Sequence, residues 1–384
     1  MARVPLREWQ RKALFQWEQA SHKGIVSVVT GGGKTIFALA CIDKLQPNTV
    51  LIVVPTVALL DQWWEEAANY FDLALDEIYI VEKVKRLRTG TINLAVLNTA
   101  SKLENKVDSS PCFLIVDECH KAASPTFSSV LLLPKIASLG LSATPERPYD
   151  DGLNETLIPA LGPLIYKYTY RDALQDGVIV PFTLNNIVFE LEEDRKQEYD
   201  RLTKSIARSI QRYGIEAQET VSLLLRRTRV LNLSLNRVRL ALRLVAAHRG
   251  KRVLVFHEDI EACNIIYQVL EKYNFKAGIY HSKLTLRQRV SMLSLYRRGE
   301  IEILVTCRAL DEGFNVPETE IGIIAASTAT RRQRIQRLGR VLRPAGGKSA
   351  AIIYTLVATI PEISRLRDEE IELQGMATIT WNEA

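Results

Sequence analysis

Three glycines followed by a lysine and a threonine, Gly31, Gly32, Gly33, Lys34 and Thr35, stand between an apolar run, GIVSVVT, and a helical pattern, IFALACIDKL. A glycine loop at a strand-to-helix turn lets backbone amides face inward, and the helix N-terminus adds positive potential, so the segment suits a triphosphate. In that chemistry Lys34 reaches the β and γ oxygens and Thr35 offers a hydroxyl to Mg2+, while Thr30 and the glycines complete the cradle. Val28 stands where the strict GxxxxGK[ST] pattern has its first glycine, so a plain glycine turn is the competing reading. Further along, the run CFLIVDECH ends in two acids. Asp117 can hold Mg2+ through water, and Glu118 can polarise the water that attacks a γ-phosphate. Surface charge is the alternative for the pair, and a structural ring is the alternative for His120.

The elements that must position these groups are legible as rhythm. GIVSVVT, TVLIVVP, TINLAVLNT, PCFLIVDE and SLGLSAT alternate with helical patterns, as parallel strands with crossover helices do. The rhythm breaks after VIVPFTLNNIVFEL and resumes with KRVLVFHE, FKAGIYHS, EILVTC, IGIIAAS and SAAIIYTLV. The expected fold is therefore α/β, with two parallel-sheet domains at 1–183 and 251–384 and a basic helical linker at 184–250.

Composition narrows the rest. The 384 residues carry 24% charged side chains, and no apolar run approaches the roughly 18 residues needed to span a bilayer, which argues against disorder and membrane insertion. The start, MARVPLREWQ, lacks the apolar core of an export signal, so a cytoplasmic site is expected. Five cysteines without a CxxC pair point to reduced core thiols rather than a metal cluster. The net charge of +6 is uneven: residues 1–180 hold 18 basic and 20 acidic side chains, and the remainder 32 and 24. Thirteen basic residues between Arg201 and Arg252 meet only Glu216 and Glu219, which suits a polyanion or, alternatively, a solvated helical face.

TGGGKT, DECH and LSATP together resemble superfamily 2 helicases and translocases, and the resemblance runs along nearly the whole chain. LREWQ resembles the Q element, VPTVALLDQW and NTAS the first nucleic-acid motifs, VLVFHE and IYHS the opening motifs of the second half, TCRALDEGFNVPE motif V and QRIQRLGRVLRP motif VI. The resemblance implies two RecA-like domains with ATP in the cleft between them. Gln10, with Arg7 or Trp9 beside it, would read adenine, and Asp311 and Gly313 would also face the nucleotide. Ser142, Ala143 and Thr144 would couple hydrolysis to movement. Gln336, Arg340 and Arg343 would stabilise charge on the transferred phosphoryl group, though Arg337 and Arg343 could be ordinary surface arginines. Thr56, Gln62, Thr99, His257, His281 and Thr306 match positions that grip nucleic-acid phosphates, with a structural role the alternative for both histidines. Trp63 or Trp64 could stack on bases, yet at least one is expected in helix core.

DECH, DEGFNVPE and QRxGRxxR look like the branch of XPB-type and phage UvsW-type DNA motors, whereas DEAD-box RNA helicases show DEAD and HRxGRxxR. That implies an ATP- and Mg2+-dependent helicase or translocase acting on duplex, forked or branched DNA, as a monomer or with further protein subunits. An RNA helicase and an ATP-dependent DNA-binding switch subunit remain open. Beside larger members of the branch the sequence reads as nearly minimal, and since unwinding commonly needs an added pin or wedge, translocation is expected and strand separation is in doubt. Within the helical stretch Arg201, Arg208, Arg212, Arg226, Arg227, Arg229, Arg237, Arg239 and Arg243 recur at spacings that place several on one face. Arg226, Arg227 and Arg229 are the candidate DNA contacts, with a solvated or paired linker face as the alternative. A second, weaker candidate is the loop at Lys83, Lys85, Arg86 and Arg88.

Overall fold

Runs of five or six Val, Ile and Leu residues are too short for buried helices, and they gain most by pairing in a sheet covered on both faces. In the computed structural model, which describes residues 5–82, 87–103, 111–146, 150–307, 319–326, 341–346 and 348–384, the chain divides at Val178/Ile179 into two compact units. The first unit holds β1 (Lys23–Val28), β2 (Val50–Val54), β3 (Tyr79–Ile80), β4 (Ile92–Val96), β5 (Cys112–Asp117), β6 (Lys135–Ser142) and β7 (Leu164–Tyr168). Among the described residues they form one parallel sheet in the order β3-β4-β2-β5-β6-β1-β7. Helices α1 (Glu8–Gln19), α2 (Lys34–Leu45) and α3 (Val57–Phe71) flank it. Trp17, Phe37, Phe113 and Leu139 are fully buried in this unit.

The second unit repeats the plan with β8 (Phe182–Val188), β9 (Val253–His257), β10 (Ala277–Tyr280), β11 (Ile303–Cys307), β12 (Ile321–Ile324), β13 (Ala351–Val357) and β14 (Ala377–Glu383). Their order is β10-β11-β9-β12-β13-β8-β14, again parallel throughout. The ten strands expected from apolar runs are present. The others were hidden for physical reasons: β3 has two residues, β7 and β14 are half-exposed edge strands, and β8 carries Asn185 and Asn186 in its middle.

β8 corrects the expected domain plan. It pairs with β13 and β14, so the second unit begins before the helical stretch, which is an excursion within that unit and not a linker between domains. Helices Glu193–Tyr213 and Gln218–Asn232 pack as a hairpin, fastened near the turn by a 2.7 Å bond between the Ser209 and Thr220 hydroxyls. Helix Leu235–Ala247 inserts Val238, Leu240, Ala241 and Val245 among Ile187, Val253 and Val255, so the third helix is core.

Arg237 on that helix is likewise corrected from a surface arginine to a buried one. It is 0% exposed, donates to the Leu356 carbonyl at 2.9 Å and to Glu362 Oε1 at 3.0 Å, and lies 5.0 Å over the Phe189 ring. Glu362 also accepts the Thr359 amide at 3.1 Å, so one carboxylate caps a helix and neutralises the arginine. All five cysteines are buried, and none forms a disulfide. Among the described residues no helix is long and apolar enough to cross a membrane. Removing the guanidinium would strand the Glu362 charge: Arg237→Ala is expected to cost about 3–5 kcal/mol in urea unfolding, against about 0.5 kcal/mol or less for the exposed Arg239→Ala.

Candidate functional site

Five neighbouring strands of the first sheet deliver chemistry at their C-terminal ends. In spatial order, β4 leads to Thr99, β2 to Thr56, β5 to Asp117 and Glu118, β6 to Ser142, and β1 to the loop ending at Lys34. A parallel sheet sends all these ends to one edge, where such folds bind ligands.

The loop after β1 is shaped by its glycines and held from behind. Gly31 and Gly33 have φ of 85° and 100°, values that disfavour a side chain. A Cβ at Gly32 would lie 2.5 Å from Val28 Cγ1, so the valine in place of the family's first glycine packs where Gly32 leaves room. The Trp9 indole donates to the Gly32 carbonyl at 3.1 Å, and Gln10 Nε2 donates to the Gly33 carbonyl at 3.0 Å. Because a trans peptide sets N–H opposite C=O, carbonyls drawn toward α1 turn the Gly33 and Lys34 amides the other way. Gln10 Oε1 accepts the Arg7 amide at 2.8 Å, so the expected adenine reader is also the loop's backstop. Thr30 Oγ1 is buried with no hydrogen-bond partner, a polar atom left for a ligand in the cradle. The inward amides, orphaned hydroxyl and Lys34 fit a polyphosphate.

The acids answer the loop. Lys34 Nζ donates to Glu118 Oε1 at 3.2 Å with both side chains about 90% buried. Glu118 occupies a left-handed turn, φ 48° and ψ 48°, immediately after β5. Burial works against its charge, but Lys34 and then His120 outweigh burial and hold the carboxyl down to about 2. Asp117 moves the other way: burial raises its pKa, with Lys34 opposing and Glu118 adding to the rise. Its Oδ1 accepts the Glu118 amide at 2.9 Å and its Oδ2 accepts the Trp63 indole N–H at 2.9 Å. Thr35 at the start of α2 and Asp117 are the residues suited to Mg2+.

His120 connects this pair to the next strand. Its Nδ1 lies 3.0 Å from Ser142 Oγ and 3.5 Å from Glu118 Oε2, while Ser142 Oγ accepts the Thr144 amide at 3.1 Å. Hydrogen bonds thus tie His120 to the Ser142–Thr144 segment, and His120 in turn lies in electrostatic reach of Glu118. Trp9 and Trp63 take site roles other than the adenine and base contacts considered from sequence, as indole donors to Gly32 and Asp117. Each is a buried tryptophan whose indole N–H must find an acceptor, and adjacency to Gln10 and Gln62 was the available signal.

The expected nucleic-acid positions divide. Thr56 caps α3, accepting the Leu59 amide at 3.4 Å; Gln62 donates to Glu66 at 2.5 Å; Thr99 is half-buried at the same sheet edge. In the second unit His257, His281 and Thr306 do meet at the ends of β9, β10 and β11, but all three are buried. His257 Nδ1 accepts the amides of Glu258 and Asp259, each at 3.0 Å, and so shapes the turn into helix Ile260–Lys272. His257 thus has, through Nδ1, the structural role that stood as its alternative. Burial also lowers the His281 pKa, favouring the neutral ring.

Arg226, Arg227 and Arg229 all have protein partners. Arg226 lies 4.0 Å from Glu198, Arg227 donates to Thr203 Oγ1 at 3.3 Å, and Arg229 lies 3.1 Å from Glu261 and 3.7 Å from Asp259. Exposed pairs of this kind are worth about 0–1 kcal/mol, so they can be exchanged for phosphates at little cost. Arg343 is half-buried, and its carbonyl accepts Lys348 Nζ at 2.9 Å. Gln336, Arg337, Arg340, Asp311, Gly313, Lys83, Lys85 and Arg86 lie outside the described residues.

Residues 3–147 match the family model described as "Type III restriction enzyme, res subunit", and residues 236–345 match "Helicase conserved C-terminal domain". The DNA 3'-5' translocase XPB2 of Sulfurisphaera tokodaii is 28% identical over 388 residues, covering 96% of this chain and 85% of its own. The DNA 3'-5' helicase XPB of Kineococcus radiotolerans is 28% identical over 362 residues, covering 92% of this chain but 60% of its own. Among solved structures, S. cerevisiae Dbp5 bound to RNA and ADP BeF3 aligns over 98% of this chain and 89% of its own with a TM-score of 0.62; at 14% identity this is likeness of fold.

The depressed Glu118 pKa makes a signed prediction. A carboxylate whose folded pKa lies below its unfolded value contributes stability that is complete above about pH 4.5 and lost as pH falls through about 2. In Lys34→Ala burial acts unopposed by the ammonium and returns the folded pKa toward or past its unfolded value, so the acid-side loss of melting temperature between about pH 4.5 and 2 should shrink. Superimposable pH–melting curves for variant and wild type would rule out the ion pair as its cause.

Proposed function

We propose that the chain belongs to superfamily 2 of the helicases and translocases, in its XPB-like branch, and that it is a nucleic-acid-stimulated ATPase that moves along or remodels duplex or branched DNA. The observation that carries the catalytic half is the buried Lys34–Glu118 contact at the end of the glycine loop. The DNA half rests on what the XPB relatives are named for acting on, together with the basic hairpin of the second unit.

Each residue's part follows from its surroundings. Gly33 and Lys34 amides receive phosphate oxygens, and Lys34 exchanges Glu118 for the β and γ oxygens. Glu118 then loses its strongest attractive partner while remaining buried, so its proton affinity rises just where the attacking water needs a base. Thr35 and Asp117 would hold Mg2+, which supplies neutralisation of phosphate charge when bound. His120 and Ser142 fix the Glu118 carboxylate on its other side. Arg340 and Arg343, carried over from the family motif, stabilise charge on the transferred group.

Lys34→Ala and Glu118→Gln should each abolish turnover while the fold persists, with Glu118→Gln still binding ATP; wild-type rates in either folded variant would remove these residues from the site. Displacement of a third strand from a DNA triplex should require hydrolysis, and turnover without displacement would favour an ATP-dependent switch over a motor. Replacing Arg226, Arg227 and Arg229 together by Gln should flatten the log–log salt dependence of duplex affinity by about one to three units. An unchanged slope would leave these arginines to their protein partners Glu198, Thr203, Glu261 and Asp259.

A further inference from the structure

Helix α3 reaches the metal-binding carboxylate directly. Trp63 is 1% exposed on the face of α3 turned to the sheet, and its indole N–H donates to Asp117 Oδ2 at 2.9 Å. An indole N–H only donates, and a carboxylate offers about four acceptor sites. At Asp117, Trp63 occupies one site on Oδ2 and the Glu118 amide one on Oδ1, which leaves one on each oxygen for a metal or its waters. The Glu118 amide is fixed by its own strand end, so the second donor, on a rigid side chain, sets the rotation of the carboxyl plane. That donor moves with α3, whose first turn is capped by Thr56 and whose exposed side carries Gln62 beside Trp63.

We propose that Trp63 is a positioning residue through which α3 sets the Asp117 carboxylate for Mg2+, so that engagement of nucleic acid at the Thr56 end of the helix is transmitted to the nucleotide site. The transmission half rests on the reading of this chain as a nucleic-acid-stimulated ATPase; the metal half does not. A tryptophan in the helix core thereby does chemistry at one remove, in the way that groups hydrogen-bonded to metal ligands tune affinity about 10- to 100-fold.

The test separates the two halves. Trp63→Phe retains the apolar body and removes the donor; replacement by 3-benzothienylalanine, with sulfur in place of N–H, does the same at nearly constant volume should the phenylalanine variant misfold. Trp17→Phe is the matched control, because it removes another buried indole bond of the same unit, to the Ser138 carbonyl at 3.0 Å in the middle of β6, with no bond to either acid. Binding of a fluorescent non-hydrolysable ATP analogue is titrated with Mg2+ and, separately, in EDTA. Loss of the Trp63 donor should raise half-saturating Mg2+ about 10-fold or more and leave metal-free nucleotide affinity unchanged, while Trp17→Phe changes melting temperature alone. An unaltered Mg2+ dependence in the folded Trp63 variants overturns the proposal. At saturating Mg2+, the ratio of DNA-stimulated to basal turnover should fall several-fold in the same variants. A wild-type ratio there overturns the transmission half, and absence of stimulation in the wild-type protein itself overturns the functional reading without touching the Mg2+ result.

Discussion

An ammonium and two carboxylates are brought together at the edge of the first sheet where little water can reach them, and none could remain charged there alone. Lys34, Asp117 and Glu118 therefore exist as a set: the lysine holds Glu118 ionised, and Asp117 keeps its place through an indole and a backbone amide. The glycine loop cannot be relaxed without moving Lys34, and β5 cannot slip without moving both acids. The bond from His120 to Ser142 and the backstop from Trp9 and Gln10 extend the same constraint to β6 and α1. An arrangement whose charges balance only among themselves is poised for a polyanionic ligand that offers Lys34 a better partner and releases Glu118.

The two units use one architecture in opposite ways. In the first, strand ends open into polar side chains with spare hydrogen-bonding capacity. In the second, the corresponding ends carry the buried side chains of His257, His281 and Thr306, and among the described residues the helical hairpin after β8 bears a row of exposed basic side chains. Helix Leu235–Ala247 seals one face of the second sheet, with Arg237 and Glu362 buried as a pair, so the hairpin is anchored at its base by core packing.

Much of this was readable from residue order. Interior parallel strands are continuous apolar runs because both faces are covered, and so β1, β2, β5, β6, β9, β11 and β12 stood out. Lys34, Asp117 and Glu118 were identifiable because phosphate chemistry demands those residue types at strand ends. What escaped were features decided by three-dimensional neighbours. Arg237 has the spacing of a surface arginine, and only the Leu356 carbonyl and Glu362, more than a hundred positions away, make it internal. Trp9 read as a neighbour of the adenine reader and Trp63 as a stacking or core tryptophan; both are buried, and their indole acceptors lie across the fold at Gly32 and Asp117. β8 was obscured by its asparagines, one of which bonds Thr380 on β14 at 2.7 Å, and with it went the true boundary between the units.

The central claim is that the first-unit site hydrolyses ATP in response to DNA. Phosphate release by the purified chain, measured side by side with saturating duplex DNA, single-stranded DNA and RNA at equal nucleotide concentration, tests it most directly. The account predicts a low basal rate raised most by DNA and lost in Glu118→Gln under every condition. Stimulation by RNA alone, or an equal rate with and without any nucleic acid, would contradict it.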